Sequence, residues 1–362
     1  MPAGKAKEAS ADRIRVLIGE DSAFMRRMIA DALESDPGIE VVGTAANGRQ
    51  VLKKLVDLRP DCVTLDLEMP RMDGLETLRF IMSEWPTPVV ILSGHTAEGA
   101  RMALTCLEYG AVDFVEKISR GMNFPVKELL AKVRMAAGVD AGKVRFSPVS
   151  LDLKPERKAV RESRIESMVL IGASTGGPQA LMEVIPRLPA DLPAAVVVVQ
   201  HMPPDFTRYL AERLDARSAI EVVEAIDGER IEPGRVLIAP GGMHFLVEEK
   251  MGEPVVMILP RNEAQRTASP SVDFAFTSMA PVFRKKLIGI VMTGMGRDGV
   301  AGCVAIRRFG GRVFCQDRET SMIFGMPGAV ISEGLADGVV PVETIAETIE
   351  RETEKIACGA EA

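Results

Sequence analysis

The sequence predicts an α/β chain folded into two doubly wound parallel-sheet domains, and three observations predict it. At 362 residues the chain exceeds what one ordinary core holds. Its hydrophobic content of 47% with only 4% aromatics suits sheets packed from Val, Ile, Leu, Met and Ala. Short apolar β-rich runs also alternate with amphipathic stretches twice along the chain, with a break between the two series.

In the first series, strands are expected at residues 15–19, 40–45, 62–67, 89–93 and 112–115. Helices are expected to begin near Ser22, Gly48, Gly74 and Thr96, and a fifth covers about 126–135. Phe24, Met25, Met28, Ile29, Ala32 and Leu33 share one face of the first helix, and Ser22 stands where it can cap it. Five βα units with both sheet faces covered imply a parallel sheet.

Between 138 and 166 the periodicity fails in a run of Gly, Ser, Pro and basic residues that suits a solvated linker. The domains are therefore expected at 13–137 and 167–357, with residues 1–12 a flexible extension. Strands of the second series fall at 169–172, 195–199, 236–239, 255–259, 288–292 and 313–315. Helices follow Gly176, Pro204, Ser271, Asp298, Met326 and Val342, and 220–249 reads as additional strands and turns.

Composition excludes several function classes. The 44 Lys+Arg against 51 Asp+Glu leave a formal charge of −7, which argues against nucleic-acid binding and against a basic membrane-binding face. A recognition helix for DNA is also missing from the pattern. The N-terminus lacks an apolar secretory core, and no apolar run approaches the roughly 20 residues of a membrane span. Five cysteines, Cys62, Cys106, Cys303, Cys315 and Cys358, show no metal-binding spacing and read as reduced thiols. A cytoplasmic location without membrane insertion is the expectation.

Glu20 and Asp21 fall just past the first strand, Asp66 at the end of the third, Ser93 at the end of the fourth, and Lys117 after the fifth. In an open parallel sheet these ends lie together. Three carboxylates converging there repel one another unless a hard cation such as Mg²⁺ sits among them. Acceptor carboxylate, metal, hydroxyl and lysine are the parts needed to take on a phosphoryl group. The segments GEDSAFMRRMI, LDLEMPRMDGLETL, ILSGHTA and GAVDFVEK resemble the receiver domain of bacterial response regulators. That resemblance implies a flavodoxin-like fold and phosphorylation at Asp66. It also implies Mg²⁺ held by Asp21, Asp66 and the Glu68 carbonyl with Glu20 assisting, and Ser93 and Lys117 as switch residues. Ile118 stands where that family usually carries proline.

In the second half, Gly172-Ala173-Ser174-Thr175-Gly176 follows an apolar strand and opens a helix, the G-x-S-x-G arrangement of a nucleophile elbow. The same cluster also suits a phosphate cradle or a plain βα turn. A nucleophilic serine needs a base and a carboxylate to orient it. His201 follows one strand and Asp298 another, so the three fall at strand ends of one sheet; His244 reads as a loop histidine. The turn with Gly294, Met295 and Gly296 offers backbone N–H groups to an oxyanion.

IGASTGGPQAL, QHMPPDFT, IAPGGMHF, PSVDFAF, TGMGRDG and VFCQD…FGMP together resemble the catalytic domain of chemotaxis protein-glutamate methylesterases. The resemblance implies a Rossmann-like hydrolase domain with the triad Ser174, His201 and Asp298 and the Met295 N–H in the oxyanion hole. It implies demethylation of glutamate methyl esters on chemoreceptor cytoplasmic domains, deamidation of selected glutamines, and no cofactor for the ester reaction. The receiver ahead of it implies control by phosphorylation from a chemotaxis histidine kinase. Residues 266–269, Arg-Thr-Ala-Ser, depart from the more basic run common in that family.

Overall fold

The computed structural model describes residues 13–117, 124–140, 165–261 and 268–358, and the chain divides into two units, Met1–Phe146 and Ser147–Ala362. Ile118 and most of the expected linker lie outside the described residues.

The first unit alternates β1 (Ile14–Gly19), α1 (Ala23–Glu34), β2 (Ile39–Ala45), α2 (Gly48–Leu58), β3 (Cys62–Asp66), α3 (Gly74–Glu84), β4 (Val89–Ser93), α4 (Ala97–Glu108), β5 (Asp113–Glu116) and α5 (Val126–Ala136). Its five strands lie in the order β2-β1-β3-β4-β5, every pair parallel. β3 and β4 are buried end to end and mostly apolar because both faces of the sheet are covered. Ser22, Asn47, Asp73 and Thr96 each accept a backbone N–H at a helix start, fixing where α1 to α4 begin. One expectation fails locally: Phe24 is 75% exposed, and the buried face of α1 starts at Ile29. The first turn of α1 stands at the rim of the sheet, so a side chain there has no strand beneath it.

The second unit begins with β6 (Ser167–Ala173), α6 (Gly177–Val184), β7 (Ala194–Gln200), α7 (Phe206–Arg217), β8 (Glu221–Glu224) and β9 (Arg235–Ile238). It continues through β10 (Met243–Lys250), β11 (Glu253–Pro260), α8 (Val272–Phe283), β12 (Leu287–Val291), α9 (Val300–Arg308), β13 (Arg312–Gln316), α10 (Met326–Ser332), β14 (Gly338–Val340) and α11 (Ile345–Ala357). Seven strands form a parallel sheet in the order β14-β13-β12-β6-β7-β9-β8. The order reverses between β6 and β12, and ligands of open parallel sheets bind at such a switch point.

The strand at 255–259 does not join this sheet; it pairs antiparallel with β10 as a separate hairpin, joined by the positive-φ pair Met251 and Gly252. His244 accordingly lies in β10, not in a loop. Among the described residues no helix is long and apolar enough to cross a membrane.

α8 is pressed into the core of this unit: Val272, Ala275, Phe276, Met279 and Ala280 are fully buried. Replacing Phe276 with alanine is expected to cost about 3–5 kcal/mol. Urea unfolding of the whole chain should show the second unit's transition at lower denaturant while the first unit's stays in place.

Candidate active site and acidic pocket

Ser174 follows β6 at a tight turn. Gly176, at φ +76, enters the left-handed region that favours glycine, and α6 starts immediately after it. The Ser174 N–H donates to the Thr293 carbonyl at 3.0 Å, and Gly177 N–H returns to the Ser174 carbonyl at 2.8 Å. Gly294 lies against the serine: a Cβ there would sit 2.8 Å from Ser174 Cβ. The two turns therefore fit together only because residue 294 has no side chain.

His201 follows β7, and its N–H donates to the Ala173 carbonyl at 3.0 Å, which brings it beside the serine turn. Gln200 is buried at the end of β7 and its Nε2 donates to the Ser174 carbonyl at 2.8 Å and to the His201 carbonyl at 3.2 Å. One amide thus ties the nucleophile's residue to the base's.

His201 Nε2 lies 2.8 Å from Asp298 Oδ2. A carboxylate accepts only, so Nε2 carries the proton and Nδ1 keeps the lone pair that can serve Ser174. The Ser174 hydroxyl makes no hydrogen bond among the described residues; the structure joins histidine to aspartate and leaves the serine beside them. Such contacts often tighten only with substrate bound.

Asp298 has four partners. Oδ2 accepts the His201 ring and the Val272 N–H at 2.8 Å, while Oδ1 accepts the Asp273 N–H at 2.9 Å and the Ser271 hydroxyl at 3.1 Å. The carboxylate therefore sits on the N-terminus of α8, where orphan N–H groups and the helix dipole favour negative charge. Burial alone would raise its pKa. The His201 hydrogen bond and charge, with the Asp273 and Val272 N–H groups, outweigh burial and bring it down to about 2.

Met295, half exposed, crowns the turn after β12, and its N–H makes no hydrogen bond among the described residues, as an oxyanion donor requires. The turn is braced from below. Thr293 N–H donates to Gln316 Oε1 at 2.8 Å, and Thr293 Oγ1 donates to the Thr175 carbonyl at 2.9 Å. Gln200 and Gln316 were missed in the sequence; their only sign is a polar residue ending an otherwise apolar strand.

His244 is buried with its ring edge toward Phe274, centroids 4.6 Å apart, and Nε2 3.3 Å from Ser269 Oγ. Burial, then the Arg261 charge, lowers its pKa against a smaller opposing pull from Asp298.

In the first unit, oxygens of Glu20, Asp21 and Asp66 lie within 4.8 Å of one another, with Glu20 and Asp66 buried. Lys117 Nζ reaches Asp66 Oδ1 at 2.6 Å and Glu20 Oε2 at 2.8 Å. Arg26 holds the rim by donating to the Glu20 and Asp21 carbonyls at 2.6 and 2.7 Å. Burial, with Asp66 adding, raises the Glu20 pKa, and Lys117 opposes this only in part. Burial would lower the Lys117 pKa, but the Asp66 and Glu20 carboxylates raise it instead. One lysine among three carboxylates leaves the pocket negative, and an all-oxygen donor set fits a small hard cation. Glu68 donates its N–H to Asp66 Oδ1 at 3.2 Å. Ser93 is buried at the same rim with its hydroxyl 3.3 Å from the Gly94 carbonyl, not bonded to Asp66.

Both units match known protein families. The CheB methylesterase family matches residues 169–349 and the response regulator receiver domain matches 16–133. A protein-glutamate methylesterase/protein-glutamine glutaminase of Symbiobacterium thermophilum is 48% identical over 353 residues, 93% of this chain and 96% of its own length. The enzyme of the same name from Pyrococcus abyssi is 44% identical, over 96% of this chain and 95% of its own. The crystal structure of the Thermotoga maritima CheB methylesterase catalytic domain superposes with a TM-score of 0.50 at 43% identity. It covers 51% of this chain and 97% of that one.

The Asp298 environment sets a pH dependence. A carboxylate with a depressed folded pKa contributes stability above its unfolded value, and the contribution is lost as pH falls through the folded value. With values of 3.8 and about 2, Asp298→Asn is expected to trail wild type by about 2 kcal/mol above pH 4. The gap should narrow as pH falls toward 2. Urea titrations at pH 7, 4 and 3 measure it; a gap independent of pH would mean that the carboxylate's charge is not what α8 holds.

Proposed function

The chain belongs to the CheB methylesterase family and carries a response regulator receiver domain, and from that premise we propose that it is a phosphorylation-regulated protein-glutamate methylesterase. Its substrates are glutamyl methyl esters on chemoreceptor cytoplasmic domains, and selected receptor glutamines are deamidated at the same site. Its place is the cytoplasm, in adaptation of a chemotaxis pathway. The observation that carries the assignment is the 2.8 Å His201–Asp298 bond beside the Ser174 elbow.

The groups act as follows. His201 Nδ1 takes the Ser174 hydroxyl proton as Oγ attacks the ester carbonyl carbon. The oxyanion that forms accepts the Met295 N–H. Asp298 holds the Nε2–H tautomer and stabilises the imidazolium. As the tetrahedral centre collapses, His201 returns the proton to the leaving oxygen and methanol departs. Water, deprotonated by His201, then attacks the acyl-enzyme and releases glutamate with free Ser174. With a glutamine substrate the same proton goes to departing ammonia. The ester reaction uses no metal in this scheme.

In the receiver domain, taken as 13–137 with the catalytic domain at 167–357, Asp66 accepts a phosphoryl group from a chemotaxis histidine kinase. Asp21, Asp66 and the Glu68 carbonyl, with Glu20 beside them, would hold Mg²⁺, which would supply charge neutralisation for the phosphoryl group. Lys117 is already paired to Asp66 and so is placed for a phosphoryl oxygen; Ser93 is the hydroxyl that turns to it.

The test is methanol release from a methyl-labelled chemoreceptor cytoplasmic domain, with and without Mg²⁺ and a small phosphodonor. Ser174→Ala is expected to lose about 10⁴-fold or more in kcat. Asp66→Asn should keep basal turnover and lose its response to the phosphodonor. Turnover that persists in Ser174→Ala would remove the serine mechanism, and an unchanged response in Asp66→Asn would move the phosphorylation site.

A further inference from the structure

Asp298 precedes α9, yet three of its four partners belong to the start of α8. Asp273, in the first turn of α8, mirrors this. Its Oδ1 accepts the N–H groups of Gly299 at 2.9 Å and Gly302 at 2.7 Å, at the start of α9. The N-cap of α9 is Gly299, which has no side chain to satisfy the first N–H groups of the helix. The neighbouring helix supplies the missing oxygen. The start of α9 is thus capped by an aspartate of α8, and the start of α8 is capped in part by an aspartate from the turn leading into α9.

This clasp needs close approach. A Cβ on Gly302 would lie 2.4 Å from Phe276 Cβ, and one on Gly299 3.1 Å from a Val272 methyl. Burial, with the Asp298 charge adding, raises the Asp273 pKa against the pull of the Gly302 and Gly299 N–H groups. The carboxyl is therefore held in place by its geometry, not by a counter-ion.

Residues 293–299 carry three elements of the hydrolytic site: Gly294 against Ser174, the Met295 N–H and Asp298. Gln316 anchors the start of that turn through the Thr293 N–H, and Asp273 anchors its end through the Gly299 N–H. We infer that Asp273 is a positioning residue for the hydrolytic reaction, fixing through Gly299 and Gly302 the turn that presents Asp298 to His201 and the Met295 N–H to the oxyanion. The inference rests on the Ser174–His201–Asp298 assignment.

Two substitutions separate position from charge. Asp273→Asn keeps an oxygen where Gly299 and Gly302 donate but removes the charge, whereas Asp273→Glu keeps the charge and moves it by one methylene. Full-length variants are compared by methanol release, well below each one's unfolding midpoint, with Ser174→Ala alongside. Asp273→Asn is expected within about fivefold of wild-type kcat, and Asp273→Glu about 10–100-fold below it with KM within threefold, the scale on which small misplacements slow chemistry. Wild-type kcat in Asp273→Glu, with only its unfolding midpoint lowered, would reduce Asp273 to a helix cap. A loss in Asp273→Asn equal to or larger than that in Asp273→Glu would make its charge, not its position, the operative property. If Ser174→Ala abolishes turnover while Asp273→Glu does not alter kcat, this inference alone falls; if Ser174→Ala remains active, the hydrolytic assignment fails first.

Discussion

Asp298 is a carboxylate largely withdrawn from water and yet kept charged, and the geometry of the site around His201 follows from how that is done. A buried carboxylate without partners takes up a proton rather than remain ionised. Here the first N–H groups of α8, the Ser271 hydroxyl and the His201 ring occupy both oxygens. The first turn of α8 must stay beside the end of β12, which is why Val272 wedges against Gly172 and Gly299 and why Phe276 reaches into the core. Once the carboxylate is fixed, the imidazole has one orientation, Nε2 toward Asp298, and only Nδ1 remains for Ser174. The tautomer is a consequence of helix capping.

Both sites stand at the carboxyl ends of parallel strands, and they treat negative charge differently. At the hydrolytic site backbone N–H groups answer the carboxylate, so its charge is settled within the fold. In the acidic pocket a single lysine pairs with two of three carboxylates, Glu20 and Asp66, and burial, with Asp66 adding, raises the Glu20 pKa. Such a pocket changes state when a cation or a phosphoryl group arrives. A preorganised site suits repeated turnover, and an unbalanced one suits a switch.

The alternation of apolar runs revealed both sheets because strands covered on both faces are nearly continuous apolar runs, as β6 and β7 are between Ser167 and Gln200. Ser174, His201, Asp298, Asp66 and Lys117 could be placed at strand ends for a related reason: a polar group directly after such a run falls on the rim where ligands of open parallel sheets bind. Other features had no such sign. Phe24 matches a helical face by spacing, but spacing cannot tell that the first turn overhangs the strand ends. β14 is three residues of edge strand, none of them fully buried, too short for periodicity to mark. The β10–β11 hairpin carries the same apolar residues as a parallel strand, and only pairing distinguishes them. Asp273 was hidden for a different reason: its partners are backbone N–H groups on another helix, which sequence does not display.

That the two candidate sites are built from different units bears on what phosphorylation can do. Among the described residues, the groups bonded to Asp298, His201 and the Thr293 turn belong to the second unit, and those of the acidic pocket to the first. Asp298 has partners on both oxygens, and a pKa lowered to about 2 keeps it ionised throughout the physiological range. Under the proposed function, a phosphoryl group on Asp66 would therefore supply no missing partner to Asp298 and would not need to adjust its ionisation. Control over an assembled site of this kind acts on the population of chains able to receive substrate, and a difference of a few kcal/mol between two states is enough to change that population many-fold.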